Sequence, residues 1–210
     1  MSPMAAHPVS PDGPGDAAES AGVVFVVLAA QFLTVTMLAA AIAPDYAFRT
    51  AAISDLGVIP ETALLFNASL VLAGLLNVLG GYYLYTLHDT RWLLALFVLA
   101  GIGAIGAGLV PLDAGDLHGV FALLAFLFMN LEVVGTATRT RGGLRMLLAA
   151  AGVIGLVFVG VMILGDAGVA GVFDIIGHGG VERMIVYPVM FALLALGGGL
   201  LAPRAASLIE

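Results

Sequence analysis

The sequence predicts an all-α fold: a polytopic membrane protein, six transmembrane helices in one bundle, both termini in the cytoplasm. Three observations predict it. The chain is 61% hydrophobic and 10% charged, with a mean hydropathy of +1.13. Soluble domains carry about 25% charged residues, so this chain cannot cover its apolar surface with polar side chains. Apolar runs at 21–43, 62–87, 92–111, 118–138, 143–164 and 181–201 each lie near the ~20 residues that carry a helix across the roughly 30 Å hydrocarbon layer. These runs are continuous rather than alternating in polarity, which excludes a barrel.

Residues 1–20 form a tail of Pro, Gly, Ser and acids with nothing to bury, and are expected to be disordered. No Lys or Arg precedes Arg49, so the first helix reads as a retained signal-anchor rather than a cleaved leader. A single domain then spans 21–202, followed by a short tail at 203–210. The chain has no lysine, so orientation rests on arginine. Arg91, Arg139, Arg141, Arg145 and Arg204 fall on the side of the termini, and only Arg49 and Arg183 on the other. The positive-inside rule then puts the termini in the cytoplasm of a multi-pass cell-membrane protein. Tyr82, Tyr83, Tyr85 and Trp92 form an aromatic belt at the inner interface. Three loops, 44–61, 111–119 and 165–183, share the outer face and hold nearly every chemically capable residue.

In the first outer loop, ISDLGVIPE (53–61) places Ser54 and Asp55 to cap a turn, Gly57 to take a positive φ, and Pro60 where helix two begins. The same rigid turn would present Asp55 as an acid, base or ligand, with Ser54 and Asn67 as binding groups. Glu61 and Asn67 lie about 9 Å apart along helix two and are placed to line one cavity. Within the membrane, Gln31, Asn77 and Glu132 sit at similar depths, roughly 18–23 Å below the outer helix ends. An intramembrane Glu is a functional candidate. Glu132 is expected either to hydrogen-bond Asn77 or Asn130, or to snorkel toward Arg139 and Arg145.

In the second outer loop, Pro111 ends helix three and His118 opens helix four. Asp113 is positioned to hydrogen-bond His118 and make it a general base. GIGAIGAG (101–108) and AGVIGLVFVG (151–160) put small residues at helical spacing, which lets helices approach closely in lipid. In the third outer loop, His178 precedes Glu182 and Arg183 at the mouth of helix six. Adjacent residues do not face each other on a helix, so Arg183 is expected to pair with Asp55 or Asp113. Pro188 is expected to kink helix six.

Two histidines and several carboxylates on one face also suit zinc, with Asp113, His118, His178 and Glu182 as ligands, although no HxxxH or HExxH spacing occurs. The alternative is a salt-bridged cap that ties the helix ends together. A third arrangement takes Ser54 as nucleophile and His118 as base, without a GxSxG elbow. The net charge of −7 excludes a basic nucleic-acid surface. The absence of cysteine removes disulfides and thiol catalysis. No lysine, excess acid and abundant Ala and Gly suit a high-salt organism.

ISDLG, FN in helix two, P-x-D with a following His, and G-x-x-E-R opening the last helix together resemble an uncharacterised prokaryotic membrane family, domain of unknown function 998, over about residues 22–202. The resemblance carries onto Ser54, Asp55, Gly57, Phe66, Asn67, Pro111, Asp113, His118, Gly180, Glu182 and Arg183. ISDLGVIPE is also similar to the ISD-x-G segment of the Frag1/DRAM/Sfk1 membrane proteins, a group linked to lipid remodelling; the Pro60–Glu61 pair stands closer to Gly57 than in that group. Neither resemblance implies an assigned reaction. Three classes of function follow. The first is lipid handling or lipid modification at Asp55, Asp113, His118 and Glu182, with Arg183 holding a phosphate headgroup. The second is a small proton-coupled transporter using Glu132; no inverted repeat between the two halves supports it. The third is a non-catalytic scaffold or accessory subunit, as a homo-oligomer or in a membrane complex. Membrane lipids are partners in the first class, and lipid handling is the reading the sequence favours.

Overall fold

Six long helices carry the chain back and forth in a computed structural model that describes residues 14–205. They are α1 (Pro14–Ile42), α2 (Ala63–His88), α3 (Arg91–Leu109), α4 (Asp116–Ala137), α5 (Gly142–Asp166) and α6 (Gly177–Ala205). Each is long and apolar enough to cross a membrane, and no strand occurs among the described residues. The protein is an integral, multi-pass membrane protein. Each helix packs against its neighbours in sequence, and α6 returns to α1, so the six close into a ring; α4 also touches α6 across the middle.

One difference from the sequence reading concerns a helix end. α1 begins at Pro14 rather than 21, since Pro is accepted in a first helical turn and Asp16 favours the positive end of the helix dipole. The rest of the expected N-terminal tail and the last residues of the C-terminal one lie outside the described residues. α6 passes Pro188 as one continuous helix.

The core holds Phe25, Leu28, Phe97, Ile185, Val189 and Leu193, all essentially inaccessible, with the Phe25 and Phe97 rings 5.7 Å apart. In lipid, close packing rather than water exclusion holds helices together. At the α2–α3 seam, a Cβ added to Gly74 would lie 2.7 Å from the carbonyl oxygen of Gly101, a separation only glycine permits. The outward surface is correspondingly apolar: Leu64, Leu109 and Met146 are more than 60% exposed and form part of the surface that meets the hydrocarbon.

The back-and-forth course of the helices brings the ends of α1, α3 and α5 and the starts of α2, α4 and α6 to one face, opposite the start of α1 and the end of α6. The loops 43–62, 110–115 and 167–176 therefore meet there, as the contacts below show.

Candidate functional site

The first of these loops is strapped to α6. Arg183 Nη1 donates to the carbonyls of Phe48 (2.8 Å), Ala51 (3.1 Å) and Gly179 (2.7 Å), and Nη2 donates to the Tyr46 hydroxyl (2.6 Å). The guanidinium also lies 4.7 Å from the centre of the Phe48 ring, within cation–π range. Burial pushes the Tyr46 phenol up to about 12, against the opposing pull of Arg183. One residue away, Glu182 Oε2 accepts from the Ile53 backbone N–H.

The turn that follows is held internally. Asp55 Oδ2 accepts from the Ala52 N–H at 2.8 Å and so ties the 3-10 turn Ser54–Gly57 to the segment just before it. Asn67 Nδ2 donates to the Gly57 carbonyl at 2.9 Å. Gly57 is not among the residues with positive φ. It is required by space, because a Cβ there would lie 2.5 Å from Asn67 Oδ1.

Several expected partnerships are therefore replaced. Arg183 pairs with neither Asp55 nor Asp113. Its donors reach the loop carbonyls of Phe48 and Ala51 as well as that of Gly179 in α6, and loop carbonyls are where a fork of five N–H groups gains most. Asp113 is exposed and does not orient His118. The His118 ring instead meets the Val110 carbonyl through Nδ1 at 2.7 Å, an acceptor released where α3 ends. Glu61 is exposed, while Asn67 borders a separate groove along α2. No group of three or more potential metal ligands assembles among the described residues. Asp113, His118, His178 and Glu182 thus do not form the zinc set that their sequence positions suggest, since His118 and Glu182 are turned toward backbone groups. His178 Nε2 faces Asp166 Oδ1 at 3.3 Å, with its ring edge-on to Phe173.

What the loops do bring together is a cavity of about 350 Å³ between α4, α5 and α6. Its polar end is formed by Ser54, His118, Asp166, His178 and Glu182. Its walls are apolar and include Ala122, Phe126, Val159, Met162 and Ile185. Leu123 and Ile163, on either side of it, are 43% and 50% exposed, so the groove opens sideways between α4 and α5. His118 and Glu182 are 4% exposed each, whereas the Asp166 and His178 side chains at the same end are 57% and 38% exposed. A carbonyl oxygen only accepts, so His118 Nδ1 carries a proton toward Val110, and in the neutral ring Nε2 is the nitrogen with the lone pair.

Deeper in the bundle, Gln31 pairs with Ser69, accepting from its hydroxyl at 2.8 Å, apart from the other polar groups. Asn77 Nδ2 donates to Glu132 Oε2 at 2.9 Å and to the Phe97 carbonyl at 3.1 Å. Glu132 is fully buried and does not snorkel toward Arg139 or Arg145, both of which are exposed. The Asn77 bond thus joins α2 to α4 inside the bundle. A void of about 40 Å³ shares Ser54, His118 and Glu182 with the groove, and one of about 60 Å³ continues to Asn77. Their walls are otherwise almost wholly apolar, and such voids stay dry, so they supply no polar steps from His118 to Glu132.

Sequence reasoning did not single out Asp166 or Tyr46. Asp166 ends α5 within the same loop as His178, and an acid closing an apolar run whose one other charge, Arg145, lies at its far end is a usable signal. Tyr46, two residues before Phe48 in the first loop, carries none that separates it from an interfacial aromatic.

A family model described as "Protein of unknown function (DUF998)" matches residues 26–199. No curated protein and no solved structure matches the chain.

Proposed function

The chain belongs to the DUF998 family of proteins of unknown function, and we propose that it binds a membrane lipid or related amphiphile in the groove between α4, α5 and α6. The apolar chain lies along Ala122, Phe126 and Met162, and the head meets Ser54, His118 and Glu182. The observation that carries this reading is the groove itself. Its volume of about 350 Å³ falls in the roughly 300–1,000 Å³ range of small-molecule sites, and it combines a lateral opening with polar groups at one end only. That polarity gradient matches an amphiphile lying with its head at a membrane interface. The arginine distribution puts the polar end on the extracytoplasmic face of the cell membrane. His118 Nε2 and the Glu182 carboxylate also supply proton acceptors to a bound hydroxyl or water, the step these groups are equipped for if the lipid is modified as well as held.

Ala122→Trp tests the reading by filling the groove without touching a polar group. Wild-type protein is expected to retain lipid through delipidation, and the variant to lose it at unchanged thermal stability. Equal retention by both proteins refutes groove binding.

A further inference from the structure

The groove end has a consistent hydrogen-bonding sign, and, taking the groove as the amphiphile site proposed above, that sign identifies the head. The nearby cations are already committed. Arg183 donates to the Phe48, Ala51 and Gly179 carbonyls and to the Tyr46 hydroxyl. Arg49 Nη2 donates to the Asp174 carbonyl at 2.6 Å. Neither arginine borders the cavity, and the chain has no lysine. Of the groups that do border it, His178 is turned to Asp166, its Nε2 3.3 Å from Oδ1, and the others are mainly acceptors. Glu182 and Asp166 contribute carboxylates, and His118 presents Nε2 because Nδ1 is held by Val110. Ser54 adds a hydroxyl that serves either way.

We propose that the groove selects amphiphiles whose head is a hydrogen-bond donor, a hydroxyl or an ammonium, and rejects heads that carry a phosphate. A phosphate offers acceptors to acceptors, and its charge would be drawn out of water beside Glu182, which is 4% exposed. A hydroxyl or ammonium instead makes charge-assisted bonds to Glu182 and a bond to His118 Nε2. The guanidinium that the residue types offer to a phosphate acts as a structural strap one residue away from the site, on a different side of α6 from Glu182.

Native mass spectrometry of the full chain in lipid nanodiscs tests this with three probes of matched chain length: monolauroylglycerol, dodecylamine and dodecyl phosphate. In pairwise competition, at least one of the first two is expected to exceed dodecyl phosphate by about 30-fold, the equivalent of one charge-assisted hydrogen bond. The order of the first two tells a hydroxyl head from an ammonium head. Asp166→Asn, at an exposed site, and Glu182→Gln, which keeps an acceptor for the Ile53 N–H, are expected to narrow the preference. Dodecyl phosphate binding as well as the others, or better, overturns the head assignment and leaves the groove reading standing. If no probe is retained above the Ala122→Trp background, the groove reading fails and this inference fails with it.

Discussion

Replacing Arg183 with alanine separates a structural strap from a ligand-binding cation, because the two roles predict opposite readouts. The side chain makes four hydrogen bonds, three to carbonyls and one to Tyr46. Bonds from a charged donor contribute about 1.5–3 kcal/mol each when buried and nearer 0.5–1.5 kcal/mol otherwise. Arg183 is partly exposed and Phe48 is 52% exposed, so the lower range applies and water recovers some of the loss. The expected cost of Arg183→Ala is about 3 kcal/mol, or roughly 150-fold in the folding equilibrium. Arg183→Lys should recover only part of it, since an ammonium cannot fork across the Phe48 carbonyl and the Tyr46 hydroxyl together. The assay is reversible unfolding in mixed micelles followed by circular dichroism, beside lipid retention by the folded fraction. Retention should be unchanged. A variant that unfolds within about 0.5 kcal/mol of wild type but loses lipid would refute the strap and return Arg183 to the binding site.

Other perturbations read the remaining contacts. Gly57→Ala should cost about 1–3 kcal/mol through overlap with Asn67, and Asn67→Ala in the same chain should relieve part of it; an uncoupled pair contradicts the close approach. Asp55→Ala should cost about 1 kcal/mol as a lost hydrogen bond to the Ala52 N–H without altering lipid retention, whereas a catalytic or binding role for Asp55 predicts the reverse. Glu132→Ala should destabilise by about 2 kcal/mol through a cavity and a lost bond to Asn77, while Glu132→Gln stays within about 1 kcal/mol; a large effect of the glutamine variant on stability would count against the simple pairing. Tyr46 gives a pH signature. Its phenol is neutral in the folded protein up to about 12, against about 10 in an unfolded chain. Its contribution is therefore complete below pH 10 and is lost as pH rises from 10 through 12, and Tyr46→Phe should flatten stability across that window in alkaline unfolding curves.

The helices and their arrangement are read almost directly from the chain. A membrane demands continuous apolar runs of fixed length, so six such runs fix six spans, and alternation along the chain puts the three polar loops on one face. The predicted starts of α2 to α5 fall within two residues of those observed. Side-chain partners are less legible for a specific reason. His118, Glu182 and Arg183 each bond to backbone groups of apolar residues, Val110, Ile53 and Phe48, and a sequence pattern shows side chains while hiding where backbone carbonyls and N–H groups are left without partners.

The sequence by itself determined that the protein spans a membrane six times and that its reactive residue types collect at one end, because hydrocarbon tolerates neither irregular backbone nor unpaired charge. Only the tertiary structure decided what those residues do. Glu182 and Arg183 are adjacent in the chain, yet one borders the groove and the other straps the first loop. Successive helix positions diverge by about 100°, and the division between site and scaffold follows from which neighbouring helix each side chain meets.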